Sequence, residues 1–318
     1  MNYNKKTVLD VDVSGKKVLL RLYNKETGEI TSDKRIVAAL PTIRYLLDHG
    51  AAVIACSHLG KPEAKFDKWV KKQTEKGKDP ATLTEEKWKK SLDKLTLAPV
   101  AKRLSELLGK DVIFAHDVVG EDAKAKAAAL KGGEIMLLEN TRFEAGETKN
   151  DPELAKALAS MAELYVSDAF GTVHRAHAST AGVAAYLPAV SGLLAAKELE
   201  VMCTALDDPK RPFVAVLGGA KVSDKIAVIN NLLDTAGTVV VGGGVAYAFA
   251  EAQGGEIGKS LLEEDKCAYA LEMIEKAKQK GVKLLLPVDT VAATEFDADA
   301  EPHVVDAMHI PADMMGMD

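Results

Sequence analysis

The chain has 318 residues, of which 47% are hydrophobic, and its net charge at pH 7 is −6. This length favours two domains, the apolar fraction is ordinary for a globular protein, and the charge gives no overall attraction to nucleic acid. No apolar run approaches the roughly 18 residues of a membrane span, and the N-terminal stretch lacks the apolar core of a signal peptide.

Short β-rich runs alternate with amphipathic stretches of helical period along the chain. The predicted strands are residues 18–22, 52–56, 112–115, 135–138, 164–166, 213–217, 239–241 and 284–287. Helical periodicity is clearest at 33–50 and 97–110, where a glycine stands at or near the end of each stretch. This alternation predicts an α/β protein with parallel sheets that helices cover on both faces. A strand and a connecting helix are expected near residues 185–200, where the two halves divide.

The three cysteines are Cys56, Cys203 and Cys267. Their odd number and wide spacing argue against a disulfide framework and against a cysteine-rich zinc site. A reducing, cytoplasmic compartment is therefore expected.

Basic side chains follow the predicted strands of the first half, where ligands of a parallel sheet bind. The loops read "SHLGK" at 57–61, "ENTRFEAGE" at 139–147 and "SDAFGTVHRAHAST" at 167–180. The basic residues in or near the βα loops of the first half are Arg35, His58, Arg142, His174, Arg175 and His177. Arginine presents a fork of donors that matches phosphate or carboxylate, so these loops predict a site for a small anion. A zinc site at the histidines is the less favoured alternative, because several ligands would have to converge.

Glycine-rich loops follow two predicted strands of the second half, "GGAKVSDK" at 218–225 and "GGGVAYAF" at 242–249. Glycine allows close backbone approach, and a helix start directs N–H groups toward an anion such as a nucleotide phosphate. A helix that begins near Val222 would direct Lys221 and Lys225 toward that start. Glycine pairs serve equally well to pack a helix against a strand, and this alternative stays open.

Sites for an anion and for a nucleotide in one chain together predict phosphoryl transfer, which depends on positioning and positive charge. Neither a P-loop motif nor a dinucleotide fingerprint is present, and the absence of the fingerprint disfavours a nucleotide-dependent oxidoreductase.

The segment 61–95 departs from the overall charge, with eleven lysines against seven acidic residues. It also holds both tryptophans, Trp69 and Trp88. A basic segment with aromatic residues allows a nucleic-acid patch. Lysines and acids that alternate at helical spacing favour instead an exposed helical insertion at about 64–95.

Taken together, these motifs resemble the phosphoglycerate kinase family. The resemblance is carried by "SDKRI", "SHLGK", "LLENTRFEAGE", "SDAFGTVHRAHAST", "GGAKVSDK", "GGGVAYAF", "GKSL", "LPVD" and "IPADMMGMD", in family order. It implies two Rossmann-like three-layer αβα domains with parallel sheets, joined by a hinge. Residues 1–187 would bind 3-phosphoglycerate, and residues 188–318 would form a partial nucleotide-binding domain.

The implied reaction is the glycolytic phosphoryl transfer between 1,3-bisphosphoglycerate and ADP, which gives 3-phosphoglycerate and ATP. Mg²⁺ would be carried with the nucleotide, and the protein would be a cytoplasmic monomer without nucleic-acid or membrane partners. The implied catalytic residues are Arg35 and Lys221. The implied substrate-binding residues are Asn24, Arg35, His58, Leu59, Gly60, Lys61, Arg142 and Arg175. The implied nucleotide-binding residues are Gly218, Gly219, Lys221, Lys225, Gly242, Gly243 and Gly316.

Three features depart from the family pattern. The family has R-x-D-F-N-V-P after its first strand, whereas this chain reads "RLYNKETGEIT", which keeps Asn24 but places Leu22 near the position of the aspartate. The segment 64–95 is longer than the usual connection. The sequence ends at Asp318, before the family's W-N-G-P-x-G-V-F-E and G-G-G-D-[ST] segments. These departures keep open the alternative of a non-catalytic phosphoglycerate-binding protein.

Overall fold

The computed structural model describes residues 5–22, 32–223 and 225–317. Its contacts divide the chain into two compact units, one that extends to Val201 and one that begins at Met202. The domain boundary expected at residues 187/188 stays a prediction. No helix in the described part of the chain is long and apolar enough to cross a membrane.

A six-stranded parallel sheet in the order β3-β4-β2-β1-β5-β6 forms the centre of the first unit. Its strands are β1 (Lys17–Arg21), β2 (Ala52–Cys56), β3 (Val112–Phe114), β4 (Ile135–Leu137), β5 (Leu164–Ser167) and β6 (Ala189–Ser191). The chain leaves β1 toward β2 on one side and later returns to β5 on the other. In sheets of this kind the crevice beyond such a reversal is where ligands bind. The topology therefore directs attention to the loops after β1 and β5.

Helices cover this sheet on both faces. The covering helices are α1 (Lys34–Asp48), α4 (Ala98–Leu108), α5 (Glu121–Ala129) and α6 (Pro152–Ala159). The segment 64–95 contains α2 (Phe66–Thr74) and α3 (Glu85–Asp93), and α7 (Leu193–Asp207) follows β6. Successive strand residues point to opposite faces. Leu20 and Val53 accordingly pack in one core with residues of α1 and α4, while Leu19 and Ile54 pack in the other with residues of α5 and α6. The expected three-layer αβα arrangement is therefore present in the first unit.

The basic segment 64–95 is helical, as predicted, and has a small aromatic core of its own. The Phe66 ring lies 6.1 Å from Trp69 and 5.9 Å from Trp88, measured between centroids. Trp69 is buried, and Trp88 Nε1 donates a hydrogen bond of 2.8 Å to the Glu63 carbonyl. Both indoles are thus engaged within the segment, which removes the aromatic part of the argument for a nucleic-acid patch.

The second unit contains a parallel sheet in the order β7-β8-β9. Its elements are β7 (Val214–Leu217), α8 (Ile226–Thr235), β8 (Thr238–Val241), α9 (Gly244–Ala252), α10 (Cys267–Lys280) and β9 (Lys283–Leu285). Ile229, Val239, Phe249 and Met273 lie in its core. Every strand expected from an apolar run is present in the structure, with ends shifted by one or two residues at most.

An antiparallel sheet in the second unit was not predicted. It has the order β11-β10-β12, from β10 (Asp289–Ala293), β11 (His303–Asp306) and β12 (Met315–Gly316). The sequence analysis predicted no strand after residue 287. Asp289 and Pro287 obscure the short alternating pattern, and the strand depends on partners farther along the chain.

The two-sided core predicts a strong contrast between two positions of α1. Ile43 is fully buried, whereas Val37 on the same helix is 43% exposed. We expect Ile43→Ala to lower the free energy of unfolding by about 2–5 kcal/mol, because it leaves a cavity. Val37→Ala should change it by less than about 0.5 kcal/mol. Urea unfolding followed by tryptophan fluorescence measures this, since both tryptophans lie in the first unit. Equal losses in the two variants would contradict the assigned packing.

Candidate active site

A fully buried arginine stands at the carboxyl end of β1. Arg21 Nε donates to Ser179 Oγ at 2.9 Å, and Nη2 lies 2.7 Å from His58 Nδ1. Nη1 donates to the Leu22 carbonyl. Because a buried charge requires partners, these contacts indicate that the loops after β2 and β5 are arranged around the guanidinium.

The matching carboxylate is Glu147, which is also fully buried. It accepts hydrogen bonds from Ser179 N at 3.0 Å, Ser179 Oγ at 2.6 Å and Thr141 Oγ1 at 3.2 Å. Ser179 thus contacts both buried charges. We call Arg21, His58, Thr141, Glu147 and Ser179 the Arg21–Glu147 network.

The sequence analysis missed Arg21, Glu147 and Ser179 as site residues. The sequence did contain a signal for Arg21. An arginine directly after the apolar run "VLL" lies at the carboxyl end of a predicted strand, where ligands of parallel sheets bind. Glu147 and Ser179 gave no such signal, since nothing in their local pattern indicates burial.

His58 is held neutral by its surroundings. Burial lowers its pKa to about 2, and the positive charges of Arg21, Arg142 and Arg175 act in the same direction. Since Arg21 donates to Nδ1, the proton of the neutral ring is assigned to Nε2. His58 is therefore a hydrogen-bond donor through Nε2.

His177 lies at the other side of the network. Its Nδ1 is 3.8 Å from Glu147 Oε1 and has no hydrogen-bond partner among the residues that the structure describes. Burial lowers the pKa of His177, and the Glu147 carboxylate partly opposes this effect.

Asn140 fixes the loops after β2 and β4 to each other. Its Oδ1 accepts from Leu59 N at 3.2 Å and Arg142 N at 3.1 Å, while its Nδ2 donates to the Leu59 carbonyl at 2.9 Å. Arg142 Nη1 in turn donates to the Gly60 carbonyl. Gly60 has a φ of +59°, a left-handed conformation that favours glycine. Asn140 is a positioning residue that the sequence analysis did not single out.

Arg175 is half-buried in the loop after β5, and its Nε donates to Nε2 of His174 at 3.1 Å. The predicted residues His58, Arg142, Arg175 and His177 are brought together, since the pKa of His58 responds to the other three. Lys61 is the next residue after Gly60 in the loop after β2, and it is exposed.

Three predicted substrate residues remain, namely Asn24, Arg35 and Leu59. Arg35 is half-buried in the first turn of α1, where a cation is unfavourable next to the helix dipole unless an anion is near. Asn24 lies outside the described residues. Leu59 is buried.

The converging groups favour an anion over a metal ion. Among the described residues, the guanidiniums of Arg21, Arg142 and Arg175 and the carboxylate of Glu147 are the charges that act on His177. Within residues 5–22, 32–223 and 225–317, no three His, Cys, Asp or Glu side chains are grouped as metal ligands would be. The zinc alternative therefore has no support among the described residues.

The second unit places the predicted lysines at the start of α8. This helix begins at Ile226 and not near Val222, the start considered in the sequence analysis. Val222 is buried in the loop that precedes the helix. Lys225 is the N-cap and forms no side-chain cap. A lysine at the positive end of a helix is unfavourable in isolation and becomes favourable beside a bound anion.

The two glycine-rich loops pack directly on each other. Val245 N donates to the Gly219 carbonyl at 3.0 Å, and a Cβ on Gly243 would lie 3.1 Å from Gly219 N. Gly243 also has a φ of +63°. A Cβ on Gly316 would collide with the Tyr247 ring, whereas one on Gly218 would meet no atom within 4 Å. Packing alone thus explains why glycine stands at positions 243 and 316. Gly218, by contrast, borders open space.

Comparison with known proteins identifies the family. The family model described as phosphoglycerate kinase matches residues 8–318. The phosphoglycerate kinase of Clostridium botulinum strain Alaska E43 is 54% identical over all of this chain and 75% of its own length. That of Clostridium beijerinckii is 53% identical with the same coverage.

Solved structures agree with this assignment. The structure of phosphoglycerate kinase from Coxiella burnetii has a TM-score of 0.76 and 39% identity, covering 99% of this chain and 74% of that one. The enzyme from Pyrococcus horikoshii OT3 has a TM-score of 0.77 and 31% identity, covering 98% and 75%. The chain therefore belongs to the phosphoglycerate kinase family.

Proposed function

We propose that the first unit binds 3-phosphoglycerate or 1,3-bisphosphoglycerate and the second binds ADP or ATP, for the reversible phosphoryl transfer of glycolysis. The observation that carries this proposal is the grouping of Arg21, Arg142 and Arg175 around neutral His58, at the strand ends where the sheet topology expects a ligand. Family membership supports the reaction.

The substrate side requires recognition of a phosphate and a carboxylate. Arg142 and Arg175 supply bidentate donors of the geometry that suits both groups. His58 contributes an Nε2–H donor and is unsuited as a general base, because its other ring nitrogen accepts from Arg21. Arg21 is committed to the network and acts mainly by fixing His58 and supplying positive potential.

The nucleotide side rests on the start of α8. Lys225 at its N-cap and Lys221 in the preceding loop would contact nucleotide phosphates, with Gly218 and Gly219 alongside. Mg²⁺ would arrive as part of the nucleotide substrate and neutralise phosphate charge during transfer.

Phosphoryl transfer needs little covalent participation by the protein. Arg35 and Lys221 are proposed to stabilise the charge of the moving phosphoryl group, one from the substrate side and one from the nucleotide side. Arg35 lies in the first turn of α1, and Lys221 lies in the loop before α8. A bound anion at such a position would interact favourably with both the cation and the positive end of the helix dipole.

One observation favours a second candidate, a protein that binds phosphoglycerate without transferring phosphate. Leu22 stands near the position of the family's substrate aspartate, and its side chain is buried in the core beside α1. Position 22 therefore offers the substrate no carboxylate. Loss of one ligand hydrogen bond costs only about 1 kcal/mol, so binding would persist in either case.

We propose a reducing, cytoplasmic location from the odd number and wide spacing of the cysteines. We propose a monomer on family resemblance alone.

Arg175 provides the direct test of the substrate site. We expect Arg175→Ala to weaken 3-phosphoglycerate binding about ten- to a hundredfold, because a hydrogen bond to a charged partner contributes roughly 1.5–3 kcal/mol. Calorimetric titration measures the affinity. Arg44→Ala is the control, since Arg44 donates to the Leu107 carbonyl away from the network. An unchanged affinity in Arg175→Ala would remove this residue from the site.

His58 predicts a defined pH dependence of stability. Between pH 6.5, the ordinary value for histidine, and about 2, the unfolded chain binds a proton that folded His58 does not. Stability is therefore lost as pH falls below 6.5. From pH 7 to 5 the wild type should lose about 2 kcal/mol more than His58→Gln.

Urea unfolding followed by tryptophan fluorescence at several pH values measures the difference. The exposed His116→Gln variant should keep the wild-type slope. If His58→Gln also kept it, His58 would not be a neutral buried residue.

A further inference from the structure

A cavity of about 420 Å³ lies in the first unit, between the segment that leads into α2 and the residues 142–151. This volume falls in the range of small-ligand sites, roughly 300–1,000 Å³. Six cationic side chains line it, namely Lys61, Lys65, Lys68, Lys72, Arg142 and Lys149. Four of these six belong neither to the Arg21–Glu147 network nor to the residues expected to bind phosphoglycerate.

Helical spacing places three of the lysines on one face. Lys65, Lys68 and Lys72 are separated by three and four positions, so they follow one stripe of α2 and the residue before it. The helix packs against α3, because the Phe66 ring of α2 lies 5.9 Å from the Trp88 ring of α3, and Trp69 of α2 is buried. The lysines are therefore presented by a fixed element.

The acidic residues around the cavity are already engaged. Asp151 accepts from Glu153 N at 2.9 Å and Leu154 N at 3.2 Å, at the start of α6. Glu63 Oε2 lies 3.9 Å from Lys72 Nζ. Burial raises the pKa of Glu144, which disfavours its charge.

The lysines, by contrast, keep their charge available. Within the described ranges, no hydrogen bond or ion pair engages the ammonium groups of Lys65, Lys68 or Lys149. The cavity therefore has an excess of uncompensated positive charge.

This excess favours a compact anion with several charges. Ammonium groups bind phosphate as point charges without a fixed geometry. The cavity lining contains lysine, arginine, proline, acidic and small residues but no aromatic ring on which a base could stack. These features favour a phosphate chain without a nucleoside.

We propose that this cavity is a binding site for short inorganic polyphosphate, with pyrophosphate and tripolyphosphate as its smallest ligands. The site combines the basic insertion with residues 142–149 of the sheet domain. It gives the Lys-rich segment a binding role, where the sequence analysis expected only an exposed appendage.

Calorimetric titration of the full chain with sodium tripolyphosphate, without Mg²⁺ and at low ionic strength, tests the proposal. We expect the variant Lys65→Ala/Lys68→Ala/Lys72→Ala to bind about ten- to a hundredfold more weakly than the wild type. The control is Lys71→Ala/Lys76→Ala/Lys78→Ala, which removes the same charge from exposed positions of the same segment outside the cavity lining. The control should stay within twofold of the wild type.

Three results would overturn the proposal. Equal weakening in both variants would show diffuse attraction to a basic segment, and no weakening in the cavity variant would place the anion elsewhere. Titration with ADP separates a nucleotide from an inorganic ligand. If the cavity substitutions weakened ADP binding more than tripolyphosphate binding, the occupant would be a nucleotide and the inorganic assignment would fail. Replacement of the same three lysines by arginine should retain binding, which guards against misfolding as the cause.

Discussion

The burial of a full positive charge at the end of β1 is the constraint on which the candidate site depends. An isolated buried guanidinium is costly, so Arg21 requires Ser179, His58 and, through Ser179, the carboxylate of Glu147. These partners come from the loops after β2, β4 and β5. One buried charge thus sets the positions of three loops that are distant in sequence.

The charge and hydrogen-bonding character of the candidate site follows from this arrangement. His58 stays neutral because it is buried beside Arg21, and it is left as a donor. Arg142 and Arg175 add positive charge at the same sheet edge, while Asn140 fixes the backbone around Arg142. Such an arrangement fits the anion site that we propose, and a preorganised site suits a reaction that depends on positioning.

Features that depend on a local residue pattern could be predicted from the sequence. Contacts between residues that are distant in the chain could not. Buried apolar runs predicted the parallel strands. Basic residues after the strands led to His58, Arg142 and Arg175, whose role in binding stays a prediction. Arg21 and Ser179 are 158 positions apart, so no local pattern relates them. Val222 is buried in the loop before α8, so its apolar character does not mark a helix start. The strands β10, β11 and β12 are short and pair with one another across intervening loops.

The most direct test of this account is the free energy of unfolding of Glu147→Gln, measured by urea and tryptophan fluorescence. The substitution keeps the shape of the side chain and removes its charge. Since one member of a buried charge network is lost, the account predicts a decrease of roughly 3–5 kcal/mol. The exposed Glu198→Gln variant should lose less than about 0.5 kcal/mol. If Glu147→Gln matched that control, the loops would not depend on the Arg21–Glu147 network and the central claim would be wrong.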